Sequence, residues 1–586
     1  MKMKPFLLCV LATLSLTGYA QLSIGGTPLV YDKTTKTYML TVPEEVFNSS
    51  YQASIEIDPG VSNVKINGVV VTTEVFFPQV DASSNYLLRF TKNGRTTTSS
   101  IHFTYLPIMC ITGTFSDDYV VAPVDFIFPD GQGVQHYRAK IKNAGESTNM
   151  QWVYKRNFHV KFVDDNGEKM DVSFFGFRND NHWRLDAGSR DMIRFRNYAA
   201  NGLWADFGTK SYYADKEPKA MSYIRGSHVE VFMNEKYHGF YNFTEFLDRK
   251  QMKLKKYKEI TADGDTVPSS VEFHGMMWKT KSVTNETLFL QSSAPIDNEA
   301  DNWSGYDLMY PEIEDVCPTD YSVMYNAVDF VAHSDDETFN SQVGEYFDLP
   351  VLVDYYMFLN VVFAIDNACT NMAWGCYDSA VDKKLTFAVW DLDATVGQHY
   401  SDTDSHYHAD EIQAERELED VRENWCKFSV NKLFVRLKTV PGFYRSVVNR
   451  YWQLRETILQ PDSLVARYQA IYDRLDACGA LARETERWSG TDEIEDRPLE
   501  FEQEFEYLCD WLRRRIPYLD THTFACQRGD VTGDGKVNIT DVTTLLEYLL
   551  TEEQVEPFND INADFNADDQ LNITDVTGMI YQILTE

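Results

Sequence analysis

The sequence predicts an α+β chain of several domains: a β-sandwich first, a mixed centre that turns helical, and a small helical EF-hand-like module last. Three observations carry this. Short alternating runs such as YMLTV, ASIEI, VKINGVVV and YLLRF, broken by Gly, Asp or Asn, fill the segment before residue 107. Apolar positions at helical spacing mark the late centre, as in FEQEFEYLCDWLRRRIPYLD. Near the end, two acidic loops, each leading into an apolar-striped helix, repeat with a period of 34 residues. At 586 residues and 44% hydrophobic composition the chain can fill more than one core.

Residues 1–20, MKMKPFLLCVLATLSLTGYA, have a basic start, a short apolar run and a small residue before Gln21. This is the pattern of a secretory signal peptide cut after Ala20. The apolar run is too short to span a bilayer, and no later stretch is a transmembrane candidate. The expected location is therefore secreted, extracellular or cell-surface associated. Eight cysteines remain beyond Cys9, an even number that permits disulfides in an exported chain. Cys369 and Cys376, the nearest pair, read equally as a bridge or as two core thiols. The formal charge of −35 argues against nucleic acid and anionic membranes as partners, since both demand basic patches. The basic cluster after Asp248, RKQMKLKKYK, reads as a solvated helix face.

Residues 21–107 are expected to form a small immunoglobulin-like β-sandwich without a chemical motif, a spacer or carbohydrate-facing module. Residues 108–523 read as mixed α/β, mostly helical from about Ala409, and closed by the helix around Phe505, Leu508, Trp511 and Leu512. The loop Gly397 to Glu411 reads as an exposed polar loop or a lid.

The chemistry concentrates between Asp366 and Asp393. In LTFAVWDLDATVG an apolar, β-prone run ends in Asp391 and Asp393, which alternation sends to one face. Two like charges there repel unless a cation or donor lies between them. Upstream, AIDNACTNMAWG places Asp366 five residues before Asn371. An acid, an amide five positions on, then an acid ending a later strand is the order used in phosphoryl transfer by kinases. There the first Asp orients the hydroxyl nucleophile, and the Asn and second Asp hold Mg²⁺. The H-R-D and D-F-G strings are absent, which excludes an ordinary protein kinase. Asp378 reads as an acid on a polar turn outside this motif.

Residues 526–586 hold 13 acids and 2 bases, a net of −11. Loop 1 offers Asp530, Thr532, Asp534, the Lys536 carbonyl, Asn538 and Asp541. Loop 2 offers Asp564, Asn566, Asp568, the Gln570 carbonyl, Asn572 and Asp575. Oxygens at loop positions 1, 3, 5, 7, 9 and 12 are what Ca²⁺ requires of an EF-hand-type loop. Gly535 fills the sharp-turn position in loop 1, and Asp569 replaces it in loop 2, where Asp tolerates left-handed geometry. The apolar stripes are Ile539, Val542, Leu545, Leu546, Leu549 and then Ile573, Val576, Met579, Ile580, Ile583. The segment resembles a type I dockerin, which implies Ca²⁺ as cofactor and a cohesin-bearing protein as partner. Thr540 and Thr574 precede the last ligand of each loop.

Four stretches of the centre, in order, resemble the spore coat protein H (CotH) kinase family. They are YKRNFHVKFVDDNG, FGFRNDNHWRLDAGSRDMIRFRNYAANGLWADFG, HVEVFMNEKYHGFYNFTEFLDR, and WSGYDLMYPE with the acid pair above. The resemblance implies an atypical protein-kinase-like domain that takes ATP and Mg²⁺ or Mn²⁺ and phosphorylates Ser/Thr of secreted proteins. By it, Asp366 is the catalytic acid, Asn371 and Asp391 hold the metal, and Asp393 is a further metal or structural ligand. Lys155 matches the phosphate-contacting lysine, with Lys161 a rival. Glu245 matches a position at the nucleotide edge, or else simply starts a helix. No glutamate lies between Asp191 and Gly208, so the ion-pair partner of the lysine is unassigned. The alternative reading is a non-catalytic surface or adhesion protein that uses the same fold for binding.

Overall fold

The computed structural model describes residues 19–145, 153–261, 270–313, 316–398, 413–418, 428–490, 498–553 and 557–585. The expected signal peptide up to residue 18, the loop from residue 399 to Glu411, and Cys426 lie outside them. The chain divides into two compact units. The first contains the residues up to Ala187, then Ser227–Phe243 and Asp473–Thr491; the second contains the rest.

In the first unit the strands are β1 (Tyr19–Ile24), β2 (Thr27–Asp32), β3 (Thr37–Thr41), β4 (Ser49–Ile57), β5 (Val61–Ile66), β6 (Val69–Val70), β7 (Glu74–Val80), β8 (Tyr86–Lys92) and β9 (Arg95–Thr104). They form one nine-stranded sheet in the order β6-β5-β8-β9-β3-β2-β1-β4-β7, with β3 and β9 parallel. Phe77 on edge strand β7 meets Phe103 of β9 at 5.2 Å between ring centroids, both rings fully buried. Strands so far apart in the order touch only because the sheet curls back on itself, enclosing alternate apolar side chains.

Seven further strands close into a barrel: β10 (Ile108–Ile111), β11 (Val120–Ile127), β12 (Val134–Ala144), β13 (Asn157–Val163), β14 (His182–Asp186), β15 (Gly226–Met233) and β16 (Lys236–Glu245). Closure comes from a parallel pairing of β10 with β15, Ile108 opposite Glu230. The interior is aromatic, with Trp183 stacked on Phe243 at 5.0 Å. Helix Ala480–Trp488 lies on the β15–β16 hairpin, where Trp488 Nε1 donates to the His238 carbonyl at 3.0 Å.

The second unit is built on a five-stranded sheet in the order Asn302–Trp303, Tyr306–Tyr310, Met276–Thr280, Ala373–Cys376, Leu385–Ala388. Helix Leu349–Val362 covers it, stacking Tyr355 on Phe387 at 5.0 Å. The helical part begins earlier than expected, at Ser322, because SVMYNAVDFVAH already carries an apolar helical stripe. The closing helix is Phe501–Thr521, with Phe505, Leu508, Trp511 and Leu512 buried as expected. The basic cluster departs from the expected solvated helix face. Only Arg249–Met252 is helical, ended by Lys253 in the left-handed region at φ 56°. Cys369 and Cys376 are both buried and carry no disulfide between them. Among the described residues, no helix is long and apolar enough to cross a membrane.

Candidate functional sites

The acid cluster follows from one hairpin. Strands Ala373–Cys376 and Leu385–Ala388 are fully buried and pair with Ala373 opposite Ala388. Continuing that register by two residues brings Asn371 opposite Trp390, beside Asp391. Asn371 and Asp391 both adopt left-handed backbone, φ 52° and 54°. Such strain persists only where the surroundings impose it. Asn367, fully buried, imposes it here: its Nδ2 donates to the Trp390 carbonyl at 2.7 Å and the Asn371 carbonyl at 3.3 Å. Its own carbonyl accepts from the Tyr355 hydroxyl at 2.9 Å. The Asp366 turn, Asn371 and the Asp391 turn are thus tied together by one amide. Strand alternation does not apply to Asp391 and Asp393, because the strand ends at Ala388. Both are half-buried all the same, flanking a fully buried Leu392.

The helix Arg196–Phe207 steadies the far side of this turn. The Asn197 Oδ1 accepts from the Leu392 N–H at 3.1 Å. The Arg196 guanidinium, fully buried, pairs with Asp191 and Glu504 at 2.7 Å each and reaches Gln398 Oε1 at 3.2 Å. Asp191 and Arg196 therefore frame the chain that leaves the WDLD turn, at Val396 and Gln398, while Asn197 holds the turn itself. Asp378 borders the turn expected from the sequence, but its side chain does not face solvent. It is buried, with Lys255 at 2.8 Å and His274 at 2.7 Å. Burial works to raise its pKa, yet the hydrogen bonds from Lys255 and His274 hold it below the usual carboxylate range. Glu245 is buried and gripped at both oxygens by Arg225, at 2.7 and 2.9 Å, with Gln251 at 3.1 Å.

In the first unit, Lys155 lies just before β13 and is 3% exposed. Its ammonium donates to Glu484 Oε1 at 2.7 Å, the Phe240 carbonyl at 2.7 Å and the Ala187 carbonyl at 2.9 Å. Glu484 Oε2 accepts the Phe240 N–H at 3.2 Å. Gly239, at φ 101°, makes this approach possible, because a Cβ there would collide with the Glu484 carboxylate and the Trp488 indole. The neighbouring His228 and His238 have pKa values pushed down to about 3, chiefly by burial, with Lys155 and an arginine adding to it. Lys161 lies between the inward residues Val160 and Phe162 and places its ammonium over the Tyr119 ring at 5.0 Å, outside this cluster.

The two acidic loops share one internal pattern. In loop 1, Asp530 accepts the N–H groups of Asp534 and Gly535 at 3.0 and 2.9 Å. Asp541 accepts those of Thr532 and Asn538, both at 2.9 Å. Loop 2 repeats this with Asp564 (from Asp568 and Asp569, 3.1 and 2.9 Å) and Asp575 (from Asn566 and Asn572, 3.2 and 2.9 Å). Asp534 and Asp568 each accept the N–H two residues on, from Lys536 and Gln570, at 2.9 Å. All four terminal acids are buried. Val542, Leu545, Val576 and Met579 fill the small core, whereas Ile539 and Ile573, expected in the stripe, are 64% and 60% exposed. They sit in the first turn of each helix, level with the loop rather than the core.

A profile of the CotH kinase protein family matches residues 141–519, well over half the chain. The chain belongs to the CotH kinase family. A type I dockerin profile matches residues 528–584, which takes in both acidic loops and makes the end of this CotH protein a dockerin module. No curated protein matches the chain significantly. Two groups of the CotH region escaped the sequence reading. Glu484 stands 329 residues from Lys155, on a helix with no motif to mark it. Asn367 sits next to Asp366, where D-N reads as one polar turn and only the hairpin register reveals its partners.

Proposed function

We propose that the chain is an exported atypical protein kinase that transfers the γ-phosphoryl group of ATP to Ser/Thr of secreted proteins and is held in an extracellular complex by its dockerin. The observation supporting it best is the Asn367 amide, which gathers Asp366, Asn371 and the Asp391 turn. Asp366 accepts the proton of the incoming hydroxyl. Asn371 and Asp391, with Asp393 as a further ligand, are the oxygen donors for Mg²⁺ or Mn²⁺. A Mg²⁺ site uses one or two carboxylates and takes its other oxygens from phosphate and water. Bound there, the metal supplies positive charge against the phosphate oxygens. Lys155 is assigned to the phosphates and Glu484 is its orienting partner, which leaves Lys161 aside; Glu245, held by Arg225, frames the nucleotide edge. In the dockerin, the oxygens at positions 1, 3, 5, 7, 9 and 12 of loops 1 and 2 take Ca²⁺. The exposed apolar residues Ile539, Leu550, Ile573 and Leu584 recur at the 34-residue period and offer a surface for the cohesin.

A second reading, a non-catalytic adhesion or scaffold protein, is favoured by one observation: the Lys155 ammonium already has three acceptors within its own unit. The experiment is transfer of labelled γ-phosphate by the full chain to itself or to co-secreted proteins with Mg²⁺ or Mn²⁺. Asp366→Ala and Asp391→Ala should each lower the rate by roughly a hundredfold or more. No transfer to any acceptor, with no effect of either substitution, would leave the binding reading.

A further inference from the structure

The two dockerin loops match inside and differ outside. Helix Phe443–Arg455 of the CotH region lies against loop 2. Asn449, 6% exposed, donates through Nδ2 to Asp564 Oδ2 at 2.6 Å and to Asp569 Oδ1 at 2.7 Å. Its Oδ1 accepts from Arg528 Nη2 at 2.7 Å, and Arg528 Nη1 donates to the Asp564 carbonyl at 2.6 Å. Arg445 Nη2 donates to the Asp569 carbonyl at 3.0 Å. Among the described residues, no side chain from outside the module is hydrogen-bonded to the acids of loop 1. At the position of Asp569, loop 1 has Gly535, whose surroundings are open.

We propose that the CotH region completes the second calcium site: Asn449 is an outer-shell positioning residue for Asp564, and Asp569 replaces glycine because its carboxylate anchors that amide. This rests on the reading that both loops take Ca²⁺. The Asp569 N–H and Asn449 share Asp564 Oδ2, with Arg445 Nε 3.8 Å from the same oxygen, while among the described residues Oδ1 accepts only the Asp568 N–H, at 3.1 Å. Asn449 therefore fixes the carboxylate plane through the oxygen turned toward its own helix. Groups that orient a metal ligand in this way typically contribute roughly ten- to a hundredfold in metal affinity. Asp569, at φ 65°, carries the left-handed cost that glycine avoids. Its bond to Asn449 gives that cost a use. By linkage, Ca²⁺ in loop 2 strengthens the hold of the dockerin on this helix by the same factor.

The test is a calorimetric Ca²⁺ titration of the full chain. Asp575→Ala, lacking the last ligand of loop 2, marks which binding step belongs to loop 1. Asn449→Ala should weaken the loop 2 step by roughly ten- to a hundredfold and leave loop 1 unchanged. Asn449→Leu fills the same space without the amide donor and should give the same selective loss, which separates the lost donor from a cavity. Unchanged affinity at loop 2, or equal weakening of both loops, would overturn the proposal. Absence of any Ca²⁺ binding by the unsubstituted chain would instead overturn the calcium reading beneath it.

Discussion

The two polar centres of the CotH region follow opposite plans. Around Lys155 every ammonium proton has an acceptor, the partner carboxylate is fully buried, and even the nearby glycine is dictated by packing. Around Asp391 the buried groups are the supports, Asn367, Arg196 and Asp191, whereas Asp366, Asn371, Asp391 and Asp393 are half-buried. The first centre is a lock and the second is a frame with its ligating groups at the edge. Substitution in the lock or the frame should register as lost stability, and substitution at the edge as lost ligand binding with little change in stability.

The largest effect is expected in the frame. Arg196→Met strands the buried Asp191 and Glu504 carboxylates and should cost about 3–5 kcal/mol in denaturant unfolding. A loss under 1 kcal/mol would mean that the guanidinium is not the keystone of this frame. Next comes the lock. Glu484→Gln keeps the shape but removes the counter-charge of Lys155, and about 1.5–3 kcal/mol should be lost, again by unfolding. An unaltered stability would mean that the pair does not lock the fold and would leave it only the proposed role toward the phosphates. Smallest, for each histidine over one pH unit, is a pH dependence. His228 and His238 have folded pKa values near 3, below the unfolded value of about 6.5. Their stabilisation is full above that unfolded value and falls as pH drops toward 3, by about 1.4 kcal/mol per pH unit for each histidine. Melting between pH 7 and 5 should show this slope in the wild type, and His238→Gln should remove about half of it.

What could be read from the sequence was local. YMLTV and YLLRF lie in strands β3 and β8, and the closing helix holds its four apolar residues inward, because alternation and helical spacing are properties of neighbouring residues. The family motifs led to Asp366, Asn371 and Asp391 for the same reason. The alternation argument failed at Asp391, where the chain leaves the strand and turns left-handed. Partners brought by distant segments were invisible. Glu484 approaches Lys155 from a late helix, and Asn449 meets Asp569 from 120 residues away. The polar turn around Asp378 gives no sign in the sequence that Lys255 and His274 let its charge be buried.

The most direct test of the account is binding of ATP to the full chain, measured calorimetrically with and without Mg²⁺. The account predicts binding that requires the metal and is lost in Asp391→Ala while the thermal unfolding of that variant stays close to the wild type. Metal-independent binding, or Asp391→Ala binding ATP as tightly as the wild type, would contradict it.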